Sequence, residues 1–206
     1  MTYSPSQPPN PLVGVLALQG SFPLHARCLR RLGAEVRFVR KREHLDGLAA
    51  LVLPGGESTV MSNLATAYGL FDDLRDAALQ GLPMMGTCAG AIFLGLGDKP
   101  PRLGVVPVHL QRNAYGRQVD SFTHEVDSQL FDAPFHGVFI RAPRIDLPAN
   151  TATTGIEILG TVRGEPVLIQ CGSLLLATFH PELTDDLRIH RYFLELCSAT
   201  GSSSQP

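Results

Sequence analysis

The chain has 206 residues, 44% of them hydrophobic and 17% charged, the mix of a globular protein long enough to bury a full core. Seventeen basic against nineteen acidic side chains leave a formal net charge of -2, which excludes a whole-chain electrostatic pull toward nucleic acid or anionic lipid. No apolar run reaches membrane-spanning length, and Cys28, Cys88, Cys171 and Cys197 form no CxxC pair, metal-ligand spacing or dense disulfide framework, so a reducing, cytoplasmic setting is expected.

The opening stretch MTYSPSQPPNP, residues 1–11, is rich in Pro and Ser and has neither a basic n-region nor an apolar h-region. It reads as a disordered tail, not as a leader. Leu12 to Leu18 is a continuous apolar run that stops at Gln19-Gly20, as a strand buried on both faces does when it ends in a functional loop. A helix is expected from about Pro23 to Leu32, closed by Gly33, and then a short strand from Glu35 to Val39. Ala50 to Leu53 is a third apolar run, ended by Pro54-Gly55-Gly56. Helical segments over Ser58 to Tyr68 and Leu70 to Gln80 lead to a fourth strand, Pro83 to Met85, and to Gly86-Thr87-Cys88. Strands alternating with helices predict a parallel, doubly wound sheet.

The second half is richer in strands, expected at Val105 to Leu110, Ser121 to Val126, Val138 to Ile140, Ile156 to Val162, Val167 to Gln170 and Leu174 to Phe179. Turn signals at Arg163-Gly164 and Cys171-Gly172 predict antiparallel hairpins. A last helix, about Asp186 to Cys197, precedes a polar tail over residues 198–206. With no repeat and no linker, residues 12–197 are expected to form one domain, its β-rich half extending the same sheet.

Three short segments carry the chemistry. In GTCAG an apolar strand runs into Cys88 and a helix-compatible run, AGAIFLGL, follows, which is the pattern of a nucleophile elbow. A helix N-terminus there favours a negative sulfur. A buried, inert cysteine fits the same residues. In TFHPE an apolar run delivers His180 at a strand end, with Glu182 two residues on. A nucleophilic thiol needs a base, and the base needs a group that holds its tautomer, so Cys88, His180 and Glu182 can fill three roles in chain order. A satisfied core histidine and a helix-capping carboxylate would read the same way. In LPGGES, Gly55 and Gly56 follow a buried strand and let backbone N–H groups approach a ligand, which suits an oxyanion hole as well as a simple tight turn. Neither phosphate-loop pattern is present.

Together these segments resemble the class I glutamine amidotransferases, over about Leu12 to Leu196. Within that superfamily, GVLALQG, LPGGEST, GTCAG, RNAYGRQVDSF, GVFIRAP and FHPELTDD are similar to the glutaminase subunits of pyridoxal phosphate synthases. The resemblance implies an α/β fold: a three-layer, flavodoxin-like, mostly parallel sheet flanked by helices, with an antiparallel extension in the C-terminal half. It implies that Cys88 attacks the glutamine amide, His180 shuttles the proton and Glu182 orients His180. Gly56, Glu57 and Ser58 would line the glutamine site with Arg112, Ile140 and Arg141, and the N–H groups of Gly56 and Ala89 would form the oxyanion hole. Gln19 would complete the site when a partner docks, an oligomeric synthase subunit of TIM-barrel fold (PdxS type). The implied reaction converts L-glutamine to L-glutamate and ammonia and needs no metal or organic cofactor. Two features depart from the family pattern: GLGDKPPRLG is shorter than usual, and Tyr115 stands where phenylalanine is more common.

Other readings of the same residues are a glutaminase serving a different synthase, a gamma-glutamyl hydrolase, and a catalytically silent regulatory subunit. The basic cluster Arg27, Arg30, Arg31, Arg37, Arg40, Lys41 and Arg42 reads as a solvated face. His25, His44, His109, His124, His136 and His190 show no metal spacing and receive no role.

Overall fold

A computed structural model describes residues 10–112 and 121–201. The first half alternates as the sequence predicts: β1 (Leu12–Leu16), α1 (Phe22–Arg31), β2 (Glu35–Val39), β3 (Ala50–Leu53), α2 (Ser58–Ala67), α3 (Phe71–Leu79), β4 (Met84–Thr87) and α4 (Ala89–Leu94). The second half contains β5 (His109–Gln111), β6 (Ser121–Ser128), β7 (Phe135–Ile140), β8 (Arg144–Asp146), β9 (Ile156–Val162), β10 (Glu165–Cys171), β11 (Leu174–Ala177) and α5 (Arg188–Gly201).

The main sheet has nine strands in the order β2-β1-β3-β4-β11-β10-β9-β6-β7. From β2 to β11 all neighbours are parallel, with β11 standing where a fifth flavodoxin-like strand would. From β11 onward the pairs are antiparallel, joined by the two hairpins expected at Arg163-Gly164 and Cys171-Gly172. Each of those turns carries positive φ: 52° at Arg163, 80° at Gly164 and 57° at Gly172. Helices cover both faces and divide the core in two. Met61, Leu74 and Phe93 pack on one face of the parallel sheet. Leu29 of α1 and Phe193 of α5 pack with Val13, Val52 and Phe179 on the other. Among the described residues no helix is long and apolar enough to cross a membrane.

Three expectations need correction. Val105 to Leu110 is a strand only at its end, because the backbone from Leu103 to Val106 bonds to carbonyls at the C-terminal end of α4. That end, β5, pairs antiparallel with β8 in a separate two-stranded sheet, so the β-rich half does not all extend the main sheet. Helix α5 continues past Cys197 to Gly201, into the stretch expected as tail. Residues 1–9 and 202–206 of the expected tails, and residues 113–120 of the RNAYGRQVDSF segment with Tyr115, lie outside the described residues.

The parallel strands bring Leu53, Gly86 and Gly90 into backbone contact. A Cβ on Gly90 would overlap the Leu53 carbonyl oxygen, and one on Gly86 would meet the Gly90 carbonyl group at 2.7 Å. Only glycine lets α4 sit this close to β3 and β4. Gly90→Ala should therefore destabilise the fold by about 1 to 3 kcal/mol through overpacking. A denaturant midpoint equal to that of the unmodified chain would contradict this packing.

Candidate active site

Cys88 stands one residue beyond β4. Its N–H donates to the Ala177 carbonyl at 2.8 Å, carrying the β4–β11 ladder one step further. The backbone then turns to φ 46°, ψ −101°, a region a residue with a side chain occupies at a cost of about 1 to 3 kcal/mol. Helix α4 starts at the next residue, so the thiol leaves a sharp strand-to-helix turn. Cys88 is nearly buried, and its Sγ lies 3.8 Å from the Ile140 carbonyl oxygen.

His180 follows β11. Its N–H donates to the Val138 carbonyl at 2.8 Å, which ties this strand end to β7. The chain then enters a single 3-10 turn, Pro181–Leu183, that returns Glu182 to the ring. His180 Nδ1 lies 2.8 Å from Glu182 Oε1, and the Cys88 thiol stands beside the same imidazole. Thiol, imidazole and carboxylate thus form one connected line. Burial disfavours the imidazolium, but Cys88, the hydrogen bond to Glu182 and the Glu182 charge outweigh it and raise His180 to about 10. Burial also disfavours the Glu182 carboxylate. His25, His180 and the Ser21 hydroxyl, which donates to Oε1 at 2.5 Å, outweigh that and hold Glu182 at about 2. At neutral pH the pair is imidazolium and carboxylate.

The Pro54-Gly55-Gly56 loop is pressed between these groups and β1. A Cβ on Gly55 would run into the His180 ring, and one on Gly56 into the Gln19 amide. Gln19 Oε1 accepts from the Glu57 N–H at 3.2 Å, and the Ser21 N–H donates to the Gly55 carbonyl at 3.1 Å. The second bond fixes the Gly55–Gly56 peptide plane and with it the direction of the Gly56 N–H.

A cleft of about 480 Å³ opens beside the thiol, lined by Gly56, Glu57, Ser58, Cys88, Ala89, Arg112, Ile140, Arg141 and His180. Every residue expected to bind or transform a substrate faces it, except Glu182, which sits behind His180. Ile92 and Ser121 also line it and were not expected. Gln19 stays outside the cleft, behind the loop. A larger depression of about 600 Å³ lies at the amino ends of β3 and β4 and contains none of the expected site residues. Glu57 and Arg112, both expected to meet a substrate, also meet each other. The Glu57 carboxylate accepts from the N–H groups of Thr59 and Val60 at the start of α2, and Arg112 donates to Glu57 at 3.0 Å and to Thr59 at 2.9 Å. Two of five guanidinium donors are used in these bonds.

Sequence reasoning missed the shell behind the triad. Ser21, His25, Thr87 and His190 bond to Glu182 or to one another. The available signal was His25 in register with Cys28 and Leu29 on the buried stripe of α1, a polar residue where an apolar one is expected.

Comparison with known proteins agrees with this architecture. A model of the SNO glutamine amidotransferase family matches residues 15–199. The chain is 50% identical over 190 residues to the pyridoxal 5'-phosphate synthase subunit PdxT of Thermus thermophilus, covering 90% of this chain and 97% of that protein. It is 49% identical over 192 residues to the PdxT subunit of Deinococcus radiodurans, covering 89% and 96%. A solved structure described as a glutamine amidotransferase superposes with a TM-score of 0.83 at 49% identity, covering 90% of this chain and 98% of that one. A putative GMP synthase component from Thermoplasma acidophilum superposes with a TM-score of 0.71 at 18% identity, covering 96% and 98%, and shares the fold.

The His180 value has a consequence for stability. The folded chain holds the His180 proton up to about pH 10, whereas an unfolded chain releases it near pH 6.5. The stabilisation is therefore full below about pH 6.5 and is lost as pH rises through about 10. Between these limits the unmodified chain should lose stability more steeply than His180→Asn, read from denaturant midpoints. Parallel profiles would contradict the raised value.

Proposed function

The chain belongs to the SNO glutamine amidotransferase family, and from that premise we propose that it hydrolyses L-glutamine to L-glutamate and ammonia through a thioester at Cys88. The observation that carries this reading is the connected line from Cys88 through His180 to Glu182 at the edge of a cleft of about 480 Å³, a volume suited to a small molecule.

Cys88 attacks the side-chain amide carbon, and the carbonyl oxygen becomes an oxyanion held by the N–H groups of Gly56 and Ala89. The imidazolium of His180 gives its proton to the departing nitrogen, so ammonia leaves and a thioester remains. His180, now neutral, takes a proton from water as the water attacks the thioester. Collapse releases glutamate and restores the thiolate and imidazolium. Glu182 keeps the imidazole in one tautomer through both steps. Arg112, held by Glu57 and Thr59, and Arg141, at the cleft wall, supply guanidinium donors for the substrate carboxylate, and Ile140 lines the cleft beside them.

The ammonia is delivered to a pyridoxal 5'-phosphate synthase partner. The names of the similar proteins support that assignment, and a synthase subunit of TIM-barrel fold is the partner we infer. A reducing, cytoplasmic setting is inferred from the cysteine spacing in the sequence alone.

Control by the partner has a physical route at Gln19. The Gly55–Gly56 peptide is fixed by the bond from Ser21, and the loop beside it by the bond between Gln19 and Glu57. Reversing that peptide would add or remove one oxyanion donor, worth about 100- to 1000-fold in turnover. Glutamate production by the chain alone should be slow and should rise by about that factor with saturating synthase. Equal rates would rule out control by the partner, and a Gln19→Ala variant that responds fully would remove Gln19 from it.

A further inference from the structure

Behind Glu182 lie two histidines that the reaction above does not use. His25, from α1, and His190, from α5, have no exposed surface, and neither do Thr87 and Glu182. His25 Nδ1 is 3.0 Å from His190 Nε2. His25 Nε2 is 3.1 Å from the Thr87 hydroxyl and 3.3 Å from Glu182 Oε2. The two carboxylate oxygens of Glu182 are unequally served. Oε1 accepts from both His180 and Ser21, while Oε2 makes no well-aligned hydrogen bond among the described residues and has the His25 N–H position as its near neighbour.

Thr87 can accept from or donate to His25 Nε2, so the carboxylate oxygen 3.3 Å away decides the tautomer. Only an Nε2–H on His25 can serve Oε2, because an unprotonated Nε2 would set a lone pair against a carboxylate oxygen. With that proton on Nε2, His25 Nδ1 is an acceptor and needs a donor. His190 Nε2 is the group at 3.0 Å, so its proton also sits on Nε2, and its Nδ1 is left as a buried acceptor. Nδ1 of His190 is indeed a buried nitrogen without a hydrogen-bond partner among the described residues.

We propose that His25 is a positioning residue for the glutaminase reaction: its Nε2–H, oriented by a hydrogen bond from His190 and aligned on the Thr87 hydroxyl at 3.1 Å, also stands 3.3 Å from the second oxygen of Glu182, and this close electrostatic contact fixes the plane in which Glu182 presents Oε1 to His180. The inference rests on the triad reading above. The N–H groups then point in one direction, from His190 to His25 and on to Thr87, with Glu182 Oε2 close beside the last of them, and the carboxylate accepts from His180 through Oε1. The relay couples α1 and α5 to the elbow, since Thr87, which also faces His25, immediately precedes Cys88. Neutral rings are what the surroundings favour. Burial lowers His25 despite the opposing charge of Glu182, and burial together with His25 lowers His190 to about 3. A neutral His25 acts on Glu182 through its N–H dipole and adds no second positive charge to compete with His180. Metal binding does not explain the pair: among the described residues no group of three or more His, Cys, Asp or Glu side chains is placed to hold an ion.

Two measurements test the relay. The first uses the unmodified full chain, in which the imidazole nitrogens are assigned by NMR at neutral pH. Both His25 and His190 should be neutral with the proton on Nε2; an imidazolium at either, or an Nδ1–H tautomer at His25, would overturn the proposal without reference to activity. The second compares synthase-stimulated glutamate production. His25→Leu should lower kcat by about 10- to 100-fold with KM unchanged, the usual cost of losing a group that orients an active-site ligand. His25→Gln, which keeps an N–H near the Nε2 position, should recover most of that loss. A folded His25→Leu variant with unchanged kcat would sink the relay while leaving the triad intact. An unmodified chain with no glutaminase activity would instead remove the triad reading itself.

Discussion

Glu182 carries a charged carboxylate with no exposed surface, and a buried charge left without donors costs several kcal/mol. Each group that offsets this cost, two by hydrogen bonds to Oε1 and His25 by its approach to Oε2, comes from a different part of the chain. Ser21 comes from the loop after β1, His25 from α1, and His180 from the end of β11. The carboxylate therefore holds its low value only when the first strand, the first helix and the central strand are assembled. Through Thr87 and His25 the same cluster reaches β4 and the elbow. Folding and the alignment of the thiol, imidazole and carboxylate are in this sense one event.

The sheet decides where this happens. Gln19, Gly55, Gly56, Cys88 and His180 all lie just past the carboxyl ends of parallel strands, where open α/β sheets bind ligands. Each strand end adds one element: a loop brace after β1, a glycine loop after β3, the strained cysteine after β4, the histidine after β11. The small residues around the elbow follow from the same requirement. Gly55, Gly86 and Gly90 have no room for a Cβ, respectively against the His180 ring, the α4 backbone and the Leu53 carbonyl. The antiparallel strands contribute less to the chemistry, but β7 supplies the carbonyls of Val138 and Ile140 that brace His180 and face Cys88.

Much of this was legible in the sequence because it is local. A buried run such as Leu51 to Leu53 has the same meaning wherever it falls, and the residues that build the elbow lie within five positions of one another. His180 and Glu182 are two apart, and the turn from Pro181 to Leu183 brings them together without help from elsewhere. What was not legible is what depends on distant contacts. Val105 and Val106 have strand-like side chains, yet their N–H groups bond to the end of α4. The short strand β8 has only three residues and no alternating pattern long enough to announce it. His25 and His190 are separated by 165 positions, and no periodicity links them. The pairing of Arg112 with Glu57 spans 55 positions, so two residues read separately as substrate ligands turned out to position each other.

The central claim is that Cys88 is the nucleophile and that the line behind it makes it so. The most direct test is covalent capture: the full chain with its synthase is treated with a glutamine-like electrophile, and the site of attachment is located by peptide mass spectrometry. The account predicts one adduct, on Cys88, slowed by excess L-glutamine and strongly slowed in His180→Asn. Labelling of Cys28, Cys171 or Cys197 in place of Cys88, or a Cys88 adduct that forms at the same rate with and without glutamine, would contradict it.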